Sequence, residues 1–204
     1  MFWPVWAVVG TGAGASSYCL GMDRPSDLKV GLLELGEVDA YLDLTVAVDA
    51  DSGVDGAAHS HPYGRDEPFN VDTARDREVM RWSTGIDEIG WRRAWGLRDG
   101  SGLAGYLYLA GAALRSELHR VELGMGVLAS HRRLGGGSML LATAIQWAKQ
   151  QPAVAWIDLG VFSDNPAAQA LYARHGFVVL GRTPDRFRVD GHSLDDISMT
   201  LELG

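Results

Sequence analysis

Cysteine is nearly absent from the sequence, because Cys19 is the only residue of this type among 204. A single thiol cannot close an internal disulfide, so the chain is not one of the disulfide-stabilised secreted scaffolds. Cys19 also has no histidine or acidic partner nearby in the pattern of an activated nucleophile. We therefore expect a reducing, cytoplasmic environment and a chemistry that does not use this thiol.

Positive charge is also scarce. Acidic residues outnumber Lys and Arg by 26 to 18, which gives a net charge of -8. A nucleic-acid partner requires clustered basic side chains that neutralise phosphates, so we expect no nucleic acid as a partner. A cationic or neutral ligand fits this charge better.

Long hydrophobic runs are limited to the start of the chain. Residues 1–21 are apolar and rich in glycine but contain no Lys or Arg, unlike a secretory signal peptide. Three glycines interrupt the run, which is also too short to span a membrane. We expect residues 1–21 to be a disordered or appended extension, residues 22–204 to form a single domain, and no membrane to be a partner.

Two helices and a long loop are predicted in the first half of the chain. Residues 37–48 and 73–88 have helical character, with Asp72 or Thr73 as the N-cap of the second helix. Residues 49–70 contain Asp, Gly, His and Pro without a hydrophobic period, which is typical of a loop. Loops of this length are unusual and often carry function.

Strands and further helices fill the rest of the sequence. Asp99 and Gly100 lie in a turn that predicts a hairpin, and Gly176 is expected to end a helix in the left-handed conformation. The order of elements predicts a mixed α/β fold around one sheet. The predicted strands are residues 29–35, 91–97, 102–109, 120–128, 156–161, 177–182 and 194–203, and the further helices are residues 138–150 and 166–175.

One segment has the features of an anion site. Residues 132–137, with the sequence Arg-Arg-Leu-Gly-Gly-Gly, lie between a predicted strand and a predicted helix, and are called the phosphate loop here. Glycine allows consecutive N–H groups to point at one centre, and the N-terminus of the following helix adds positive potential. Arg132 and Arg133 add two cationic side chains. The segment therefore predicts a site for a diphosphate.

Spacing excludes two common nucleotide motifs at this segment. A P-loop has Lys followed by Ser or Thr directly after its last glycine, whereas Ser138 and Met139 stand there. A dinucleotide fingerprint has a third glycine three residues after the second, whereas Leu140 follows Gly137 at that distance. A glycine-rich turn without a ligand stays open as the alternative.

The phosphate loop and its surroundings resemble the GNAT superfamily of N-acetyltransferases. The pyrophosphate motif of that family, Arg/Gln-x-x-Gly-x-Gly/Ala, is matched by Arg132, Gly135 and Gly137. Residues 122–127 resemble its fourth strand, and residues 164–177 resemble its second conserved motif. Gly136 replaces a larger residue that is common in the family, which leads us to expect a more flexible loop.

This resemblance implies a fold and a cofactor. The implied fold is α/β (α+β), with a mixed, mostly antiparallel central sheet of six to seven strands, about four flanking helices and a V-shaped splay between strands 4 and 5. The implied cofactor is acetyl-CoA as acyl donor, bound by a core at about residues 119–180. The implied contacts are Met125, Val127, Arg132, Arg133, Leu134, Gly135, Gly136, Gly137, Ser138, Asn165 and Tyr172.

The resemblance also implies catalytic roles. Tyr172 occupies the position where the family often has a tyrosine near the cofactor sulfur, and a phenol with a pKa of about 10 can donate a proton at neutral pH. Gly124 and Gly126 fit a bulge in the fourth strand, where backbone groups of Met125 and Val127 would face the cofactor. Asn165 is expected to cap a helix and to bind the pantetheine arm.

An amine acceptor must lose a proton before it attacks, since an alkylammonium titrates near a pKa of about 10.4. Glu122 is the first candidate for the base and His119 the second, with an exposed, non-catalytic strand carboxylate as the alternative for Glu122. A bulge makes the direction of these side chains uncertain from sequence.

The acceptor pocket of such folds is built by the loop between the first helices and by the loop between the last strands. These segments contain His59, His61, Tyr63, Arg65, Asp66, Glu67, Arg186, Arg188, Asp190 and His192. The mixed charges do not identify an acceptor. His59 and His61 lack a matched third ligand, so we expect no metal.

The sequence thus predicts an N-acetyltransferase that transfers acetyl from acetyl-CoA to a primary amine of a small molecule or peptide, by direct attack in a ternary complex. A non-catalytic, CoA-binding regulatory module and a transferase of longer acyl groups are the alternatives. A homodimer is compatible with the sequence.

Overall fold

The computed structural model describes residues 27–67 and 70–204. The predicted extension at residues 1–21 lies outside these ranges. The described chain forms one seven-stranded sheet with the order β1-β2-β3-β4-β5-β7-β6. The strands are β1 (Lys29–Leu32), β2 (Arg92–Arg98), β3 (Leu103–Gly111), β4 (Arg120–Val127), β5 (Trp156–Phe162), β6 (Val178–Val189) and β7 (His192–Glu202).

Four α-helices flank the sheet, namely α1 (Val38–Asp49), α2 (Val71–Ser83), α3 (Gly136–Ala148) and α4 (Pro166–Arg174). Among the described residues, no helix combines the length and apolar character needed to cross a membrane. The predicted mixed fold with a mostly antiparallel sheet is therefore confirmed, because β4 and β5 form the parallel pair and the other pairs are antiparallel.

The bounds of α2 differ from the prediction at both ends. The N-cap is Asn70, whose Oδ1 accepts the N–H of Thr73 at 2.9 Å, rather than Asp72 or Thr73. The helix ends at Ser83 instead of residue 88. The hydroxyls of Ser83 and Thr84 donate to carbonyls four residues earlier, and Thr84 is already extended, so the helix does not continue.

Each face of the sheet carries a separate hydrophobic core. Leu140, Leu141 and Ala144 of α3 are fully buried on one face, where they pack with apolar residues of the central strands. Tyr41 and Leu42 of α1 are buried on the other face in a second core. Burying a leucine side chain contributes about 1.5–3 kcal/mol, so α1 and α3 are fixed firmly on opposite faces.

The sheet opens between β4 and β5. These strands pair only from Arg120 to Glu122 and from Trp156 to Asp158, although both continue for several residues beyond. The predicted splay between strands 4 and 5 is thus confirmed. The unpaired part of β4 ends at the phosphate loop, which is followed by α3.

The expected bulge in β4 is wrong. The ladder between β3 and β4 runs without a register shift from Gly105 opposite Val127 to Gly111 opposite Val121. Gly124 and Gly126 have a packing reason instead. A Cβ on Gly124 would lie 2.3 Å from the Tyr108 ring, and one on Gly126 would lie 2.8 Å from the Tyr106 ring.

The last two strands form a long hairpin, because β6 extends beyond the predicted residues 177–182. β6 extends to Val189, and β7 begins at His192 after the turn at Asp190 and Gly191. The hairpin lies at one end of the sheet, with β6 as the edge strand. Arg186 and Arg188, which we expected in a loop, therefore lie on β6.

Candidate active site

A cavity of about 730 Å³ follows the opening between β4 and β5. The phosphate loop and α4 line one end of the cavity. The end of α1, residues 58–63 and tyrosines of β3 line the cavity on the face of the sheet that carries α1, and this part of the lining is called the acceptor end. The opening in the sheet thus connects a glycine-rich, cationic end with an end lined by aromatic and acidic groups.

Backbone groups of β4 face this cavity. Leu128 N–H donates to Ala104 O across the β3–β4 ladder. Paired and unpaired positions alternate along an antiparallel ladder, so the N–H and C=O groups of Met125 and Val127 point away from β3 and toward β5. Since β5 has diverged there, the N–H and C=O groups of Met125 and the N–H of Val127 are available to an extended ligand, whereas the Val127 carbonyl accepts a hydrogen bond from Arg132.

The phosphate loop presents a row of free N–H groups. In the described parts of the chain, no acceptor is found for the backbone N–H groups of residues 133–138. Arg133 and Gly135 have φ values of 63° and 91°, and these left-handed conformations curl the backbone before α3 begins. Consecutive N–H groups at a helix N-terminus bind phosphate oxygens well.

The start of the phosphate loop is fixed by two polar contacts. The Nε of Arg132 donates to Val127 O at 3.0 Å, which holds the side chain along the end of β4. His131 Nε2 lies 2.8 Å from Asp99 Oδ2 in the β2–β3 turn. The guanidinium of Arg132 therefore remains at the rim of the cavity, where it is exposed to an anionic ligand.

The other end of the loop is fixed by packing. Gly136 is buried, and a Cβ on it would lie 2.3 Å from Leu97 Cδ2, so this glycine permits α3 to contact β2 closely. This close contact gives Gly136 a packing role, and the expected extra flexibility stays a prediction. Ser138 Oγ lies 2.7 Å from His175 Nε2, which links the start of α3 to the end of α4.

Two predicted site residues of α4 line the cavity. Asn165 Oδ1 accepts the N–H of Ala168 at 3.1 Å and caps the helix, so its amide NH₂ group remains for a ligand. Tyr172 is only 6% exposed and packs against Phe177. Burial raises the pKa of Tyr172 above its usual value, which keeps the phenol protonated at neutral pH.

The two sequence-based candidates for the base are not among the residues that line the cavity. Glu122 is half-buried on β4. Burial raises the pKa of Glu122, while Arg92 and Arg81 lower it. His119 is exposed, and its carbonyl accepts the N–H groups of Ala155 and Trp156.

The long loop between α1 and α2 reaches the cavity through His59, His61 and Tyr63. His59 is 7% exposed, and both its backbone N–H and its Nδ1 contact Asp164 Oδ2, at 3.2 and 2.7 Å. Asp164 precedes the N-cap of α4. This pair therefore fastens the loop to the segment that carries Asn165.

His61 is held in the neutral state by two hydrogen bonds. Its Nε2 lies 3.1 Å from Asp49 O and acts as a donor there, while its Nδ1 accepts the N–H of Tyr63 at 3.3 Å. One nitrogen must donate and the other must accept, which only the neutral ring can do. Burial also lowers the pKa of His61.

Other predicted pocket residues lie outside the cavity. Arg65 N–H donates to Asp190 Oδ1, so the loop and the β6–β7 hairpin touch there. The His192 ring lies 5.4 Å from the His59 ring, on the outer side of the site. In the ranges that the structure describes, no group of His, Cys, Asp and Glu side chains could hold a metal ion. Asp66, Glu67, Arg186 and Arg188 also do not line the cavity.

Asp49, the last residue of α1, lines the cavity and was missed by the sequence analysis. It is 9% exposed, and burial raises its pKa to about 7. Its position near the end of a helical pattern gave no signal of function, because its burial depends on how α1 and the following loop fold back over β3 and β4.

A free row of N–H groups beside an opened pair of parallel strands is typical of proteins that bind a long ligand. The phosphate end of such a ligand lies at a helix N-terminus, and its body lies along a strand edge. Residues 62–177 match the model of the acetyltransferase (GNAT) family. The chain belongs to this family of acetyl-CoA-dependent acetyltransferases.

Solved structures with the same fold share little sequence with the chain. A Salmonella typhimurium protein solved with its cofactor acetyl-CoA is 17% identical, with a TM-score of 0.72 over 87% of this chain and 94% of that one. Ribosomal-protein-alanine N-acetyltransferase from Brucella melitensis is 18% identical, with a TM-score of 0.70 over 85% and 99%. Spermidine/spermine N-acetyltransferase from Vibrio cholerae is 18% identical, with a TM-score of 0.63 over 87% and 95%. No protein with a curated description matches the sequence.

Proposed function

We propose that the protein is an N-acetyltransferase that moves an acetyl group from acetyl-CoA to a primary amine of a small molecule or peptide, by direct attack in a ternary complex. The observation that carries this proposal is the continuity of the cavity. One space of about 730 Å³ extends from the phosphate loop to the end lined by residues 58–63. Two substrates can therefore meet within it without an intermediate carried by the enzyme.

Residues of one end suit the acetyl-CoA. The N–H groups of residues 133–138 and the side chains of Arg132 and Arg133 would hold the diphosphate. The backbone groups of Met125 and Val127, together with the free amide of Asn165, would hold the amide-containing arm. When bound, acetyl-CoA supplies an acetyl group activated as a thioester.

Tyr172 is proposed to protonate the departing thiolate. Its phenol lines the cavity and its raised pKa keeps the O–H proton in place until charge develops on sulfur. Glu122 stays a prediction for the base, although it is not among the residues that line the cavity.

A primary amine is proposed as acceptor on two grounds. Two structural neighbours are a ribosomal-protein-alanine N-acetyltransferase and a spermidine/spermine N-acetyltransferase, and the acceptors in these names share a primary amino group. The acceptor end of this cavity also contains the buried carboxyl of Asp49 and the aromatic rings of Tyr106 and Tyr108. Carboxylates and aromatic faces attract alkylammonium groups.

The proposed function is tested with a panel of amines. Purified protein is incubated with acetyl-CoA and amino acids, polyamines, aminoglycosides or peptide N-termini, and thiol release is measured together with the mass of the acetylated product. We expect turnover with at least one primary amine and none with the matched alcohol. Succinyl-CoA serves as the donor control, because faster transfer from it would indicate a longer acyl group.

Binding is measured separately from turnover. A ligand that binds the native state stabilises it by mass action, so acetyl-CoA at about 100 times its Kd should add about 2.7 kcal/mol and raise Tm. Stabilisation without turnover on any amine would indicate a regulatory CoA-binding module. An unchanged Tm at saturating acetyl-CoA would contradict the cofactor assignment itself.

A further inference from the structure

We infer that Asp49 binds the ammonium form of the acceptor and removes its proton, and that the acceptor is therefore an alkylammonium compound held among tyrosines at this end of the cavity. This inference rests on the proposed function for its catalytic step. The binding of the ammonium group by Asp49 can be measured without turnover.

Asp49 lies at a suitable place for this role. Val48, the residue before it, contacts β4 at Gly126, where an added Cβ would lie 2.7 Å from Val48 Cγ1. Asp49 therefore lies beside the part of β4 whose backbone faces the opening of the sheet. Both Asp49 and Gly126 line the same cavity, so a ligand there can reach the carboxyl group and the β4 edge together.

The Asp49 carboxyl has no partner among the described residues. Asp49 is 9% exposed, and its polar contacts use the backbone carbonyl, which accepts hydrogen bonds from Ser52 N–H and His61 Nε2–H. A buried carboxylate without a hydrogen bond is costly for the fold. A cationic ligand in the cavity would supply the missing donors.

Other carboxyls on β5, on β7 and in the segment before α4 are already engaged. Asp164 pairs with His59 at 2.7 Å, and Asp158 accepts two hydrogen bonds from Arg120. Asp196 accepts a weaker hydrogen bond from Ser198 at 3.4 Å and lies within the influence of Arg186. Asp49 is the cavity carboxyl whose charge no cation compensates among the described residues.

The titratable groups that face Asp49 are His61 and Tyr63 from the loop and Tyr106 from β3. His61 is neutral, and burial raises the pKa of both tyrosines. None of these groups therefore carries a positive charge that would hold Asp49 ionised. Burial alone raises the Asp49 pKa to about 7, so the ionised form is available at neutral pH as a base.

The aromatic groups around Asp49 specify the kind of cation. Tyr41, Tyr63 and Tyr106 line the same cavity, as does Tyr108, one face of which already carries the Arg92 guanidinium at 4.0 Å. Aromatic faces attract desolvated cations, and the carboxylate provides a hydrogen-bond acceptor for the N–H groups. These features favour an alkylammonium over a neutral amide or an anionic acceptor.

The proton and bond changes balance. The ammonium group gives one proton to the Asp49 carboxylate, which leaves a neutral amine with a lone pair. The amine nitrogen forms the amide bond while the thioester C–S bond breaks, and the second nitrogen proton is lost on forming the neutral amide. The thiolate takes one proton from Tyr172, which regains a proton from solvent, and Asp49 returns its proton to solvent. The net products are amide, thiol and one proton.

The first test is the pH dependence of kcat/KM for the best amine of the panel, in wild type and Asp49→Asn. An ionised Asp49 accepts the proton of the ammonium, so the wild-type rate should rise up to about pH 7 and then stay level until the amine itself titrates near about 10.4. Asp49→Asn can use only the free amine. Its rate should be lower by roughly a hundredfold at neutral pH and should keep rising to the amine pKa.

Two further variants serve as comparisons. Asp43→Asn changes an exposed aspartate on the same helix and should follow the wild-type profile. Glu122→Gln tests the rival base. The inference would be overturned if kcat/KM stayed independent of pH above about pH 7 in Asp49→Asn but not in Glu122→Gln. The proposed acetyl transfer would remain intact in that case.

The second test measures binding without chemistry. n-Butylammonium is titrated by calorimetry into the complex of the protein with free CoA, and n-butanol is the uncharged control. Wild type and Asp43→Asn should bind the ammonium better than the alcohol, and Asp49→Asn should lose roughly tenfold in affinity, which corresponds to about 1.4 kcal/mol. Equal ammonium binding by wild type and Asp49→Asn would overturn the inference. Asp49-dependent binding together with no turnover on any amine would support it and contradict the proposed function.

Discussion

At the scale of single residues, burial determines which groups can do chemistry. Tyr172 and Asp49 line the same cavity, and burial raises the pKa of each. The consequence differs because the two groups start from different pKa values. Tyr172 remains a proton donor at neutral pH. The pKa of Asp49 instead rises into the pH range in which a base is most effective.

Tyr172→Phe tests the assigned donor. Phenylalanine retains the packing against Phe177 but removes the hydroxyl, so turnover should fall by roughly tenfold to a hundredfold through loss of proton donation. Acetyl-CoA affinity, measured by calorimetry, should change by less than about threefold, because the backbone contacts at the phosphate loop are unaffected. Unchanged kcat would remove Tyr172 as the donor.

Gly136→Ala tests the close contact between α3 and β2. The new Cβ would lie 2.3 Å from Leu97 Cδ2, so the free energy of unfolding should decrease by about 1–3 kcal/mol. The displaced helix N-terminus should also weaken acetyl-CoA binding. Gly36→Ala is the control, since no atom lies within 4 Å of its added Cβ and its effect should stay within about 0.5 kcal/mol. Unfolding in urea compares the variants, and equal stability would contradict the packing role.

At the scale of elements, the contact between His59 and Asp164 fastens the loop between α1 and α2 to the segment before α4. His59 and Asp164 are 105 residues apart in sequence. Their contact brings His61 and Tyr63 to the acceptor end of the cavity and holds them near Asn165. The loop thus depends on the motif at α4 for its position, although the two are encoded far apart.

Asp164→Ala should therefore affect the acceptor more than the cofactor. The buried Nδ1–H of His59 would lose its acceptor, which costs about 1–3 kcal/mol and should raise KM for the amine several-fold. KM for acetyl-CoA should change by less than about twofold. Asp66→Ala, at an exposed position of the same loop, is the matched control. Steady-state kinetics with both substrates varied checks the result, and equal rises in both KM values would contradict a role limited to the loop.

Much of the cofactor end could be predicted because its signals are local in sequence. The phosphate loop, Asn165 and Tyr172 lie within short motifs whose spacing already requires a strand, a turn and a helix. The acceptor end could not be predicted in this way. The burial of Asp49, the pairing of His59 with Asp164 and the absence of Glu122 from the cavity lining arise from tertiary contacts that no periodic pattern records.

Short-range patterns also failed at the ends of elements. The continuous β3–β4 ladder shows that Gly124 and Gly126 make room for tyrosines of the neighbouring strand, not for a bulge. A glycine in a strand has either meaning, and only the identity of its cross-strand neighbour decides between them. Residues 183–189 lie outside the predicted strand, yet they belong to β6, which pairs with β7.

At the scale of the whole molecule, the ionisation of Asp49 affects stability. Its pKa is about 7 in the folded chain and about 3.9 when unfolded, so the folded state binds one more proton between these values. The free energy of unfolding should therefore fall as pH rises from about 4 to about 7, by up to about 4 kcal/mol from this group alone.

Asp49→Asn should remove this contribution. The variant should match wild type below about pH 3, where Asp49 is protonated in both states, and be more stable than wild type above about pH 7. Urea unfolding at both pH values measures the difference. Equal pH dependence of the two proteins would mean that the carboxyl is better solvated than its burial indicates. A gain in stability with a loss of activity is the pattern expected of a functional residue.

The limited pairing of β4 with β5 also bears on the order of folding. β2, β3 and β4 pair with their sequence neighbours, and β5, β6 and β7 pair with one another within residues 156–202. Pairings of low sequence separation form early, and parts of a domain can form as distinct cooperative units. We therefore expect the two groups of strands to form separately and to meet at the cavity, joined along the sheet by the pairs from Arg120 to Glu122 and by the shared core under α3.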